Sequence, residues 1–218
     1  MVEAILGKLT RSMDAVEFSC RMAGYNEILV DLGTGDGKFV VQAARKTPGL
    51  FAIGVDASRE NLRETSRSAP GNALFVIANA CALPAELTGQ ATWLTVNFPW
   101  GSLRDGLLSG DPGLLDGLRA LLRPGALVEV RLNASALAEA GWELDAGGQQ
   151  VYEALLGAGL RALPPRRMDA NGLRACPTTW AKRLAYGRAP EAVYIRAALA
   201  RVPQGVRVNT WNSSMVVS

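Results

Sequence analysis

The sequence predicts an α/β protein with a doubly wound, Rossmann-like and mostly parallel sheet. Three observations predict it: apolar strands alternate with helices between residues 27 and 132, one strand ends in a glycine-rich turn that leads into a helix, and Gly/Pro breaks separate the elements. Such alternation forms parallel sheets through right-handed crossovers, with helices on both faces. At 218 residues and 49% hydrophobic, the chain suits one domain.

The first two strand–helix units have the clearest pattern. Residues 27–32 are a short apolar run that predicts a strand, and the helix predicted at 39–46 ends at Thr47-Pro-Gly49. Residues 51–55 predict a second buried strand. Ser58 suits the N-cap of a helix that continues to Arg67.

The pattern continues to residue 132. Apolar strands are predicted at 73–78 and 93–96, and an apolar helix at 114–122. Arg123-Pro-Gly125 is expected to stop that helix before a strand at 126–132.

The C-terminal part is less regular. It is predicted to contain a helix at 149–156, a short strand at 160–163 and a last strand at 192–198. The arginine-rich segment 164–188 is too long for a simple turn, so we expect a substrate-recognition insertion within a domain of residues 1–200. The polar tail 201–218 is expected to be flexible.

Composition limits the chemistry. The chain has no histidine, so the usual general base and the commonest metal ligand are missing. Cys20, Cys81 and Cys176 are scattered and without CxxC spacing, which predicts reduced thiols and no metal site. No apolar run approaches the roughly 20 residues that span a bilayer, and the first ten residues lack the apolar centre of a signal peptide. We therefore expect a cytoplasmic protein without a membrane segment.

Charge is distributed unevenly along the chain. Residues 1–160 carry 13 Lys or Arg against 18 Asp or Glu, whereas residues 161–218 carry 10 against 2. Clustered cations are typical of a surface that binds nucleic acid phosphates, although a solvated arginine-rich surface would give the same count.

The glycine turn predicts a cofactor site. A dinucleotide fingerprint would require a third glycine where Lys38 stands, and the carboxylates of Asp31 and Asp36 would repel a pyrophosphate. They suit the cationic S-adenosylmethionine, which Gly33 and Gly35 would allow close to the backbone. The structural alternative is a simple tight turn in which Asp36 caps the next helix.

Other residues of this site follow the neighbouring strands. Asp56 ends the second strand, where it could accept hydrogen bonds from both ribose hydroxyls, and Ala80 and Cys81 could flank the adenine. Asn97 and Ser102, at the end of the fourth strand, complete the expected cofactor site.

The fourth strand also predicts a substrate site, since Pro99 and Trp100 follow it at the carboxyl edge of the sheet, where ligands bind. Trp100 could stack on a flat substrate such as a nucleobase, and Pro99 offers a carbonyl acceptor. On residue type alone, a core position under a loop is the more common environment for a tryptophan.

Three motifs together resemble the ribosomal RNA adenine-N1 methyltransferases that confer resistance to kanamycin and apramycin. They are Asp31-Leu-Gly-Thr-Gly-Asp-Gly37, Phe98-Pro-Trp-Gly101 and Thr179-Trp-Ala-Lys-Arg-Leu184. The resemblance covers most of residues 25–198. It implies the class I methyltransferase fold with a seven-stranded sheet, and methyl transfer from S-adenosylmethionine, with S-adenosylhomocysteine as product, to an adenine N1 in the 16S rRNA decoding site.

The resemblance also implies residue roles. Trp100 and Trp180 would sandwich the flipped base, the main-chain carbonyl of Pro99 would bind its amino group, and the hydroxyl of Thr178 would assist. The RNA-binding residues are expected to be Lys8, Arg11, Arg63, Arg67, Lys182, Arg183 and Arg188. Adenine N1 already has an available lone pair, so alignment can replace a strong base. The expected partner is 16S rRNA in the small (30S) subunit, bound by a monomer without a metal.

Departures from the family pattern leave two alternatives open. Residues 63–72 form a short loop with few cations where relatives often carry lysines, Pro190 replaces an arginine, and Cys81 replaces a glutamate. A methyltransferase acting on transfer RNA or a small molecule, or a weakly catalytic RNA- or cofactor-binding homologue, would accommodate these changes.

Overall fold

The computed structural model describes residues 1–176, 178–186 and 190–200. The strands are β1 (Val2–Leu6), β2 (Leu9–Met13), β3 (Glu27–Leu32), β4 (Leu50–Asp56), β5 (Ala73–Ile77), β6 (Ala91–Asn97), β7 (Leu122–Asn133), β8 (Arg161–Ala162), β9 (Arg166–Met168) and β10 (Ala192–Ala198). The helices are α1 (Ala15–Met22), α2 (Lys38–Lys46), α3 (Arg59–Ser66), α4 (Gly101–Ser109), α5 (Pro112–Leu121), α6 (Ala134–Glu139), α7 (Leu144–Gly157), α8 (Ala170–Ala175) and α9 (Thr179–Ala185).

The strands form one sheet in the order β2-β1-β5-β4-β3-β6-β7-β10-β8, with β9 paired to β10. The five strands from β3 to β7 pair in parallel, and β10 is antiparallel to β7, β8 and β9. This confirms the mostly parallel α/β fold, and each of the seven predicted strands is present. The hairpin β1–β2 and the short strand β9 extend the sheet beyond those seven.

Helices cover both faces of the sheet. On β3, Ile28 and Val30 pack into one layer with residues of α1, α4, α5 and α7, whereas Leu29 packs into the other with residues of α2 and α3. All three side chains are buried. A strand covered on both faces has no polar face, which is why residues 28–30 are consecutively apolar.

The N-terminal hairpin was not predicted. Its strand β1 pairs antiparallel with β5, with Ala4 opposite Val76, and so covers what would be an open sheet edge. Asp14 then begins α1 as its N-cap, accepting a hydrogen bond from the amide of Glu17 at 2.8 Å. On α3 the predicted cap is confirmed, because the hydroxyl of Ser58 accepts from the amide of Asn61.

The predicted helix does end just before Arg123-Pro-Gly125, but the strand that was predicted to begin at 126 begins at 122, so these three residues do not separate the two elements. Strand β7 begins at Leu122, directly after α5, and the register with β6 changes from Ala91–Leu122 to Trp93–Leu127. Gly125 adopts a φ of 85°, and its amide donates to the carbonyl of Leu199 at 3.0 Å. The Pro-Gly pair therefore forms a bulge within the strand.

The segment 164–188 contains β9, α8 and α9. A small separate core holds the two helices against the sheet; it consists of Phe98, Leu173, Cys176, Ala181, Ala185 and Ala192. Phe98 comes from the end of β6, so the segment is anchored on the Phe-Pro-Trp motif. The expectation of a flexible tail at 201–218 lies outside the described residues.

The strand order reverses beside β3, which has β4 on one side and β6 on the other. At such a switch point the crossover connections leave in opposite directions, and a crevice opens at the carboxyl ends of the strands. The carboxyl ends of β3, β4, β5 and β6 meet there.

Candidate active site

A cavity of about 330 Å³ lies at this switch point. Its walls come from the turn after β3, the ends of β4, β5 and β6, and the start of α9. Cavities that hold small ligands start at roughly this volume. Most of the site residues predicted from the sequence line it, together with Phe98 of the second motif: Asp31, Gly33, Gly35, Asp36, Asp56, Ala80, Asn97, Pro99, Trp100, Ser102, Thr178 and Trp180.

Asp31 is the most deeply placed charged group of the cavity. It is 1% exposed, and it accepts hydrogen bonds from the hydroxyls of Thr34 and Thr95, both at 2.6 Å, and from the side-chain amide of Asn97 at 2.9 Å. Burial raises the pKa of the Asp31 carboxyl above its usual value, and these hydrogen bonds, with the charge of Arg131, offset only part of that rise.

The oxygens of Asp31 are not fully used. Thr95 and Asn97 donate to Oδ1, and Thr34 alone donates to Oδ2. A carboxylate offers about four lone-pair sites, so one is left on Oδ2 beside the cavity. A cationic donor such as an ammonium group fits this site.

The glycine turn allows a close backbone approach. The amides of Gly33 and Thr34 both donate to the carbonyl of Val55, at 2.9 and 3.0 Å, which fixes the turn against β4. Gly35 has a φ of 57°, and a Cβ added there would meet no atom within 4 Å. Gly37, with a φ of 68°, differs because its Cβ would lie 2.4 Å from Cε1 of Phe75.

Asp36 lies between Gly35 and Gly37 and is not the N-cap of α2, which is Gly37. Its carboxylate instead accepts from the backbone amide of Lys38 at 3.2 Å and pairs with the Lys38 ammonium at 3.0 Å. Lys38, which stands where a dinucleotide-binding fingerprint requires a glycine, thus neutralises Asp36.

Asp56 stabilises the turn from the neighbouring strand. Its Oδ2 accepts from the amide of Gly35 at 2.8 Å, and its Oδ1 accepts from the amide of Ser58 at 2.9 Å and from Nδ2 of Asn61 at 3.3 Å. One lone pair of Oδ2 is left for a hydroxyl on the cavity side. Asn61 also lines the cavity and was not predicted.

The end of β5 differs from the expectation. Ala80 lines the cavity, but Cys81 is exposed and is not part of the lining. Asn79 does line the cavity, and its side-chain oxygen accepts a hydrogen bond from the Cys81 amide at 2.9 Å. Sequence reasoning missed Asn79, although a polar residue just after a strand in this fold is a recognisable signal.

Two tryptophans stand at the open side of the cavity. Trp100 is 38% exposed and Trp180 is 44% exposed, so the core environment considered for Trp100 does not apply. Their ring centroids are 6.3 Å apart, with planes inclined by 37°. Trp100 directly precedes α4, whereas Trp180 lies in the first turn of α9.

The backbone at Phe98 is unusual, since Phe98 has a φ of 54° and is buried. Its amide donates to the carbonyl of Arg131 at 2.8 Å, and its ring belongs to the core beneath α8 and α9. A non-glycine residue in the left-handed region costs on the order of 1–2 kcal/mol, which the burial of the ring offsets. The turn directs Pro99 and Trp100 to the cavity.

Thr178 has a structural role of its own. It is buried, and its hydroxyl caps α9 by accepting from the amide of Ala181 at 3.0 Å. The hydroxyl proton is still available as a donor. On the same helix, the Arg183 guanidinium lies 5.9 Å from the Trp180 ring centroid, and Lys182 is exposed.

The other predicted RNA-binding residues lie elsewhere. Lys8 and Arg11 belong to the N-terminal hairpin, where Arg11 pairs with Glu17 at 2.8 Å. Arg63 and Arg67 lie at the end of α3 that points away from the cavity, because this helix runs back along the sheet from its start at Arg59. Arg188 lies outside the described residues.

A partly buried polar network next to Asp31 was also missed. It joins Glu129 and Arg131 of β7 to Tyr194 and Arg196 of β10. The signal in the sequence was weak, namely two polar residues spaced by two on each of two otherwise apolar strands.

Neither a metal centre nor a membrane span occurs in residues 1–176, 178–186 and 190–200. No group of three or more Cys, Asp or Glu side chains is arranged to hold a metal ion there. Within the same ranges, no helix is both long enough and apolar enough to cross a bilayer.

Comparison with known proteins gives a consistent result. Residues 3–199 match the NpmA family, described as 16S rRNA (adenine(1408)-N(1))-methyltransferase. A protein of that description from Streptoalloteichus hindustanus is 33% identical over 196 residues, covering 83% of this chain and 90% of the relative.

Solved structures are similar over nearly the whole chain. The 16S rRNA (adenine(1408)-N(1))-methyltransferase of Catenulisporales acidiphilia, crystallised as a tryptophan-to-alanine mutant with its cosubstrate SAM, has a TM-score of 0.79 and 27% identity, covering 94% of this chain and 99% of that one. The antibiotic-resistance methyltransferase Kmr has a TM-score of 0.77 and 30% identity, with coverage of 93% and 100%.

Proposed function

The chain belongs to the 16S rRNA (adenine(1408)-N(1))-methyltransferase family, and from this premise we propose that it methylates N1 of an adenine in the decoding site of 16S rRNA. The observation that carries the proposal is the pair of half-exposed tryptophans, Trp100 and Trp180, beside a cavity with a buried carboxylate at its base. One part of the site suits a cationic methyl donor, and the other suits a planar base.

Three features of the cavity support S-adenosylmethionine as the donor. Asp31 offers a buried acceptor for its ammonium group, Asp56 offers a lone pair for a ribose hydroxyl, and Gly35 leaves space where a side chain would obstruct the ligand. When bound, the sulfonium supplies an electrophilic methyl group. The role of the chain is to hold that group in line with the acceptor nitrogen.

The tryptophans support a flipped purine between them. Stacked bases lie about 3.4 Å apart, so a base stacked on both faces needs about 7 Å between the two rings. The observed 6.3 Å and the tilt of 37° mean that a small rotation of one indole would admit the base. The carbonyl of Pro99 would accept from the exocyclic amine, and the Thr178 hydroxyl would donate to the base or its sugar.

The chemistry requires no general base. Adenine N1 has an available lone pair and carries no proton, which agrees with a chain that lacks histidine. The methylated base is cationic, and the two indole faces would stabilise the positive charge as it develops. Stacking therefore serves both to position the base and to lower the barrier.

The same proposal extends to the partner. We infer that the substrate is the 16S rRNA within the 30S subunit, whose phosphates Lys182 and Arg183 would contact beside the cavity. We further propose that the chain acts as a monomer in the cytoplasm, where ribosomal subunits occur. Methylation of the drug-binding adenine would give aminoglycoside resistance.

The test is transfer of tritium from labelled S-adenosylmethionine to purified 30S subunits, followed by primer extension. N1 methylation blocks base pairing, so reverse transcription should stop at the decoding-site adenine. A Trp100→Ala, Trp180→Ala double variant that still binds the donor is the control and should give no stop. Label in transfer RNA but not in subunits would contradict the proposal, and donor binding without any transfer would indicate a non-catalytic protein.

A further inference from the structure

A continuous chain of hydrogen-bonded side chains crosses four strands of the sheet. It begins on β10, passes through β7 and β6, and ends on β3 at the base of the cavity. Its members, in order, are Arg196, Tyr194, Glu129, Arg131, Asn97 and Asp31. Every link between consecutive members is 3.1 Å or shorter.

Glu129 holds Arg131 from one side. Its Oε2 accepts from Nη2 of Arg131 at 2.9 Å, while its Oε1 accepts from the Tyr194 hydroxyl at 2.6 Å and from Arg196 at 3.2 Å. The Arg131 guanidinium also lies 4.9 Å from the centroid of the Tyr194 ring. The Arg131 and Glu129 side chains are only 13% and 8% exposed, so this geometry is fixed by packing as well as by charge.

Arg131 in turn fixes Asn97. Its Nη1 donates to Oδ1 of Asn97 at 2.9 Å, and Nδ2 of Asn97 donates to Oδ1 of Asp31 at 2.9 Å. A guanidinium can only donate and an ionised carboxylate can only accept. The amide between them therefore has one satisfactory orientation.

The four charged side chains of this set balance one another. Arg131 and Arg196 carry the positive charges, and Glu129 and Asp31 carry the negative charges. Asp31 is nearly inaccessible to solvent, so it depends on these partners to remain ionised. Neither Arg131 nor Glu129 is part of the cavity wall.

We propose that Arg131 is a positioning residue for the methyl donor: held by Glu129, it locks Asn97 and so keeps the Asp31 carboxylate oriented towards the ammonium group of the donor. The proposal rests on the proposed function, because it takes S-adenosylmethionine as the ligand. Without Arg131, the Asn97 amide is free to flip and to present its carbonyl oxygen to the carboxylate, which would repel it. The part of the site that would bind adenosine, around Asp56 and Asn79, is not hydrogen-bonded to these six side chains.

The test compares two ligands on the full chain without RNA. S-adenosylhomocysteine carries the ammonium group, whereas 5′-methylthioadenosine has the same nucleoside and no amino acid part. For Arg131→Met, isothermal titration calorimetry should show about a tenfold rise in Kd for S-adenosylhomocysteine and a change of less than about twofold for 5′-methylthioadenosine. A larger rise in Kd for S-adenosylhomocysteine than for 5′-methylthioadenosine is a result that a general loss of stability would not produce.

Arg123→Met is the matched control, because Arg123 is a half-buried arginine on the same strand whose bonds go to Gly89 and Gln90. It should leave both Kd values unchanged. Arg131→Lys keeps the charge but loses the fork that reaches Glu129 and Asn97 together, so it should show the same selective loss at a smaller size. If Arg131→Met does not fold, the Kd values of the two ligands for Arg131→Lys test the proposal.

Two results would overturn the proposal: unchanged binding of S-adenosylhomocysteine by the folded Arg131 variants, or an equal loss for both ligands. Binding is measured without ribosomal subunits, so failure of this proposal is distinguishable from failure of the proposed target. If Arg131 proves necessary for selective donor binding but the protein methylates another RNA, the inference about Arg131 stands and the proposed target is wrong.

Discussion

The indole rings of Trp100 and Trp180 lie 6.3 Å apart, centroid to centroid, although the two residues belong to different parts of the fold. Trp100 is placed by the turn after β6, and Trp180 by α9. Phe98 joins the two, because it shapes that turn and also packs beneath α9. The distance between the tryptophans is therefore set by the core beneath α8 and α9.

Substitution of either tryptophan should impair transfer much more than donor binding. Trp100→Ala or Trp180→Ala removes one stacking face, worth about 1–3 kcal/mol per base, so kcat/KM for subunits should fall by about 5- to 150-fold. The Kd of S-adenosylhomocysteine, measured by calorimetry, should stay within about twofold of the wild-type value. Trp→Phe at the same positions keeps an aromatic face and should recover most of the activity. Equal losses in transfer and in donor binding would argue against the sandwich.

Two glycines of the same turn should respond differently to alanine. Both have a positive φ, so both variants bear a backbone cost of about 1–2 kcal/mol. The new Cβ of Gly35→Ala points into open space beside the cavity, whereas that of Gly37→Ala meets the Phe75 ring. Gly35→Ala should mainly weaken donor binding, and Gly37→Ala should mainly lower the Tm. Thermal melting and calorimetry on both variants check this, and the reverse pattern would mean that the ligand does not pass Gly35.

Donor affinity should fall as the pH is lowered through the pKa of Asp31. Burial raises that pKa, so protonation begins at a higher pH than for an ordinary aspartate. Only the ionised form attracts an ammonium group. Titrations of S-adenosylhomocysteine across mildly acidic pH should show the loss in the wild type and a weak, flat profile in Asp31→Asn. A wild-type profile as flat as that of the variant would contradict the role of Asp31.

The same raised pKa predicts a separate effect on stability. A carboxyl whose pKa is higher in the folded state stabilises the fold at low pH and loses that contribution as the pH rises through the folded-state pKa. At neutral pH the ionised Asp31 is therefore a cost to folding. Asp31→Asn should keep or raise the Tm of the ligand-free protein at pH 7 while it loses donor affinity. A large fall in Tm would show that the hydrogen bonds of the carboxylate outweigh its desolvation.

The basic residues near the cavity should contribute more to subunit binding than the distant ones. Lys182→Ala and Arg183→Ala should each weaken binding and lower the slope of log K against log salt by about 0.7–1, the value expected for one phosphate contact. Arg63→Ala and Arg67→Ala should have smaller effects, because these residues lie at the far end of α3. Filter binding at several salt concentrations measures the slopes. Arg21→Ala, which removes an exposed arginine outside both groups, is the control.

The sequence predicted the parts of the site that depend on local order. Asp31 and Asp56 lie at the ends of apolar strands and Gly35 follows one of them, and the carboxyl ends of parallel strands meet at one edge, so these residues had to converge. The predicted strand bounds at 27–32 and 192–198 match the structure residue for residue. Trp180 was different, because its place opposite Trp100 followed from the family resemblance and not from any local pattern.

Other features depend on contacts that are distant in sequence. Arg131 reaches Asp31 only through Asn97, and nothing in the local pattern of β7 indicates which residue of another strand will face it. Likewise Cys81 was expected beside the adenine, but the turn after β5 places Asn79 in the cavity wall. The direction of a side chain within a loop is set by hydrogen bonds that sequence periodicity does not contain.

The shared position of Phe98 has a consequence for protein engineering. The segment 164–188 is not an independent packing unit, since its core includes the ring of Phe98, about seventy residues upstream. In a chimaera that exchanges only residues 164–188 with a relative, the new segment would pack against the Phe98 ring of this chain, with which it did not evolve. Exchange of the segment together with the turn at 98–100 and with Ala192 transfers the complete packing unit, and with it the geometry that separates the two indoles.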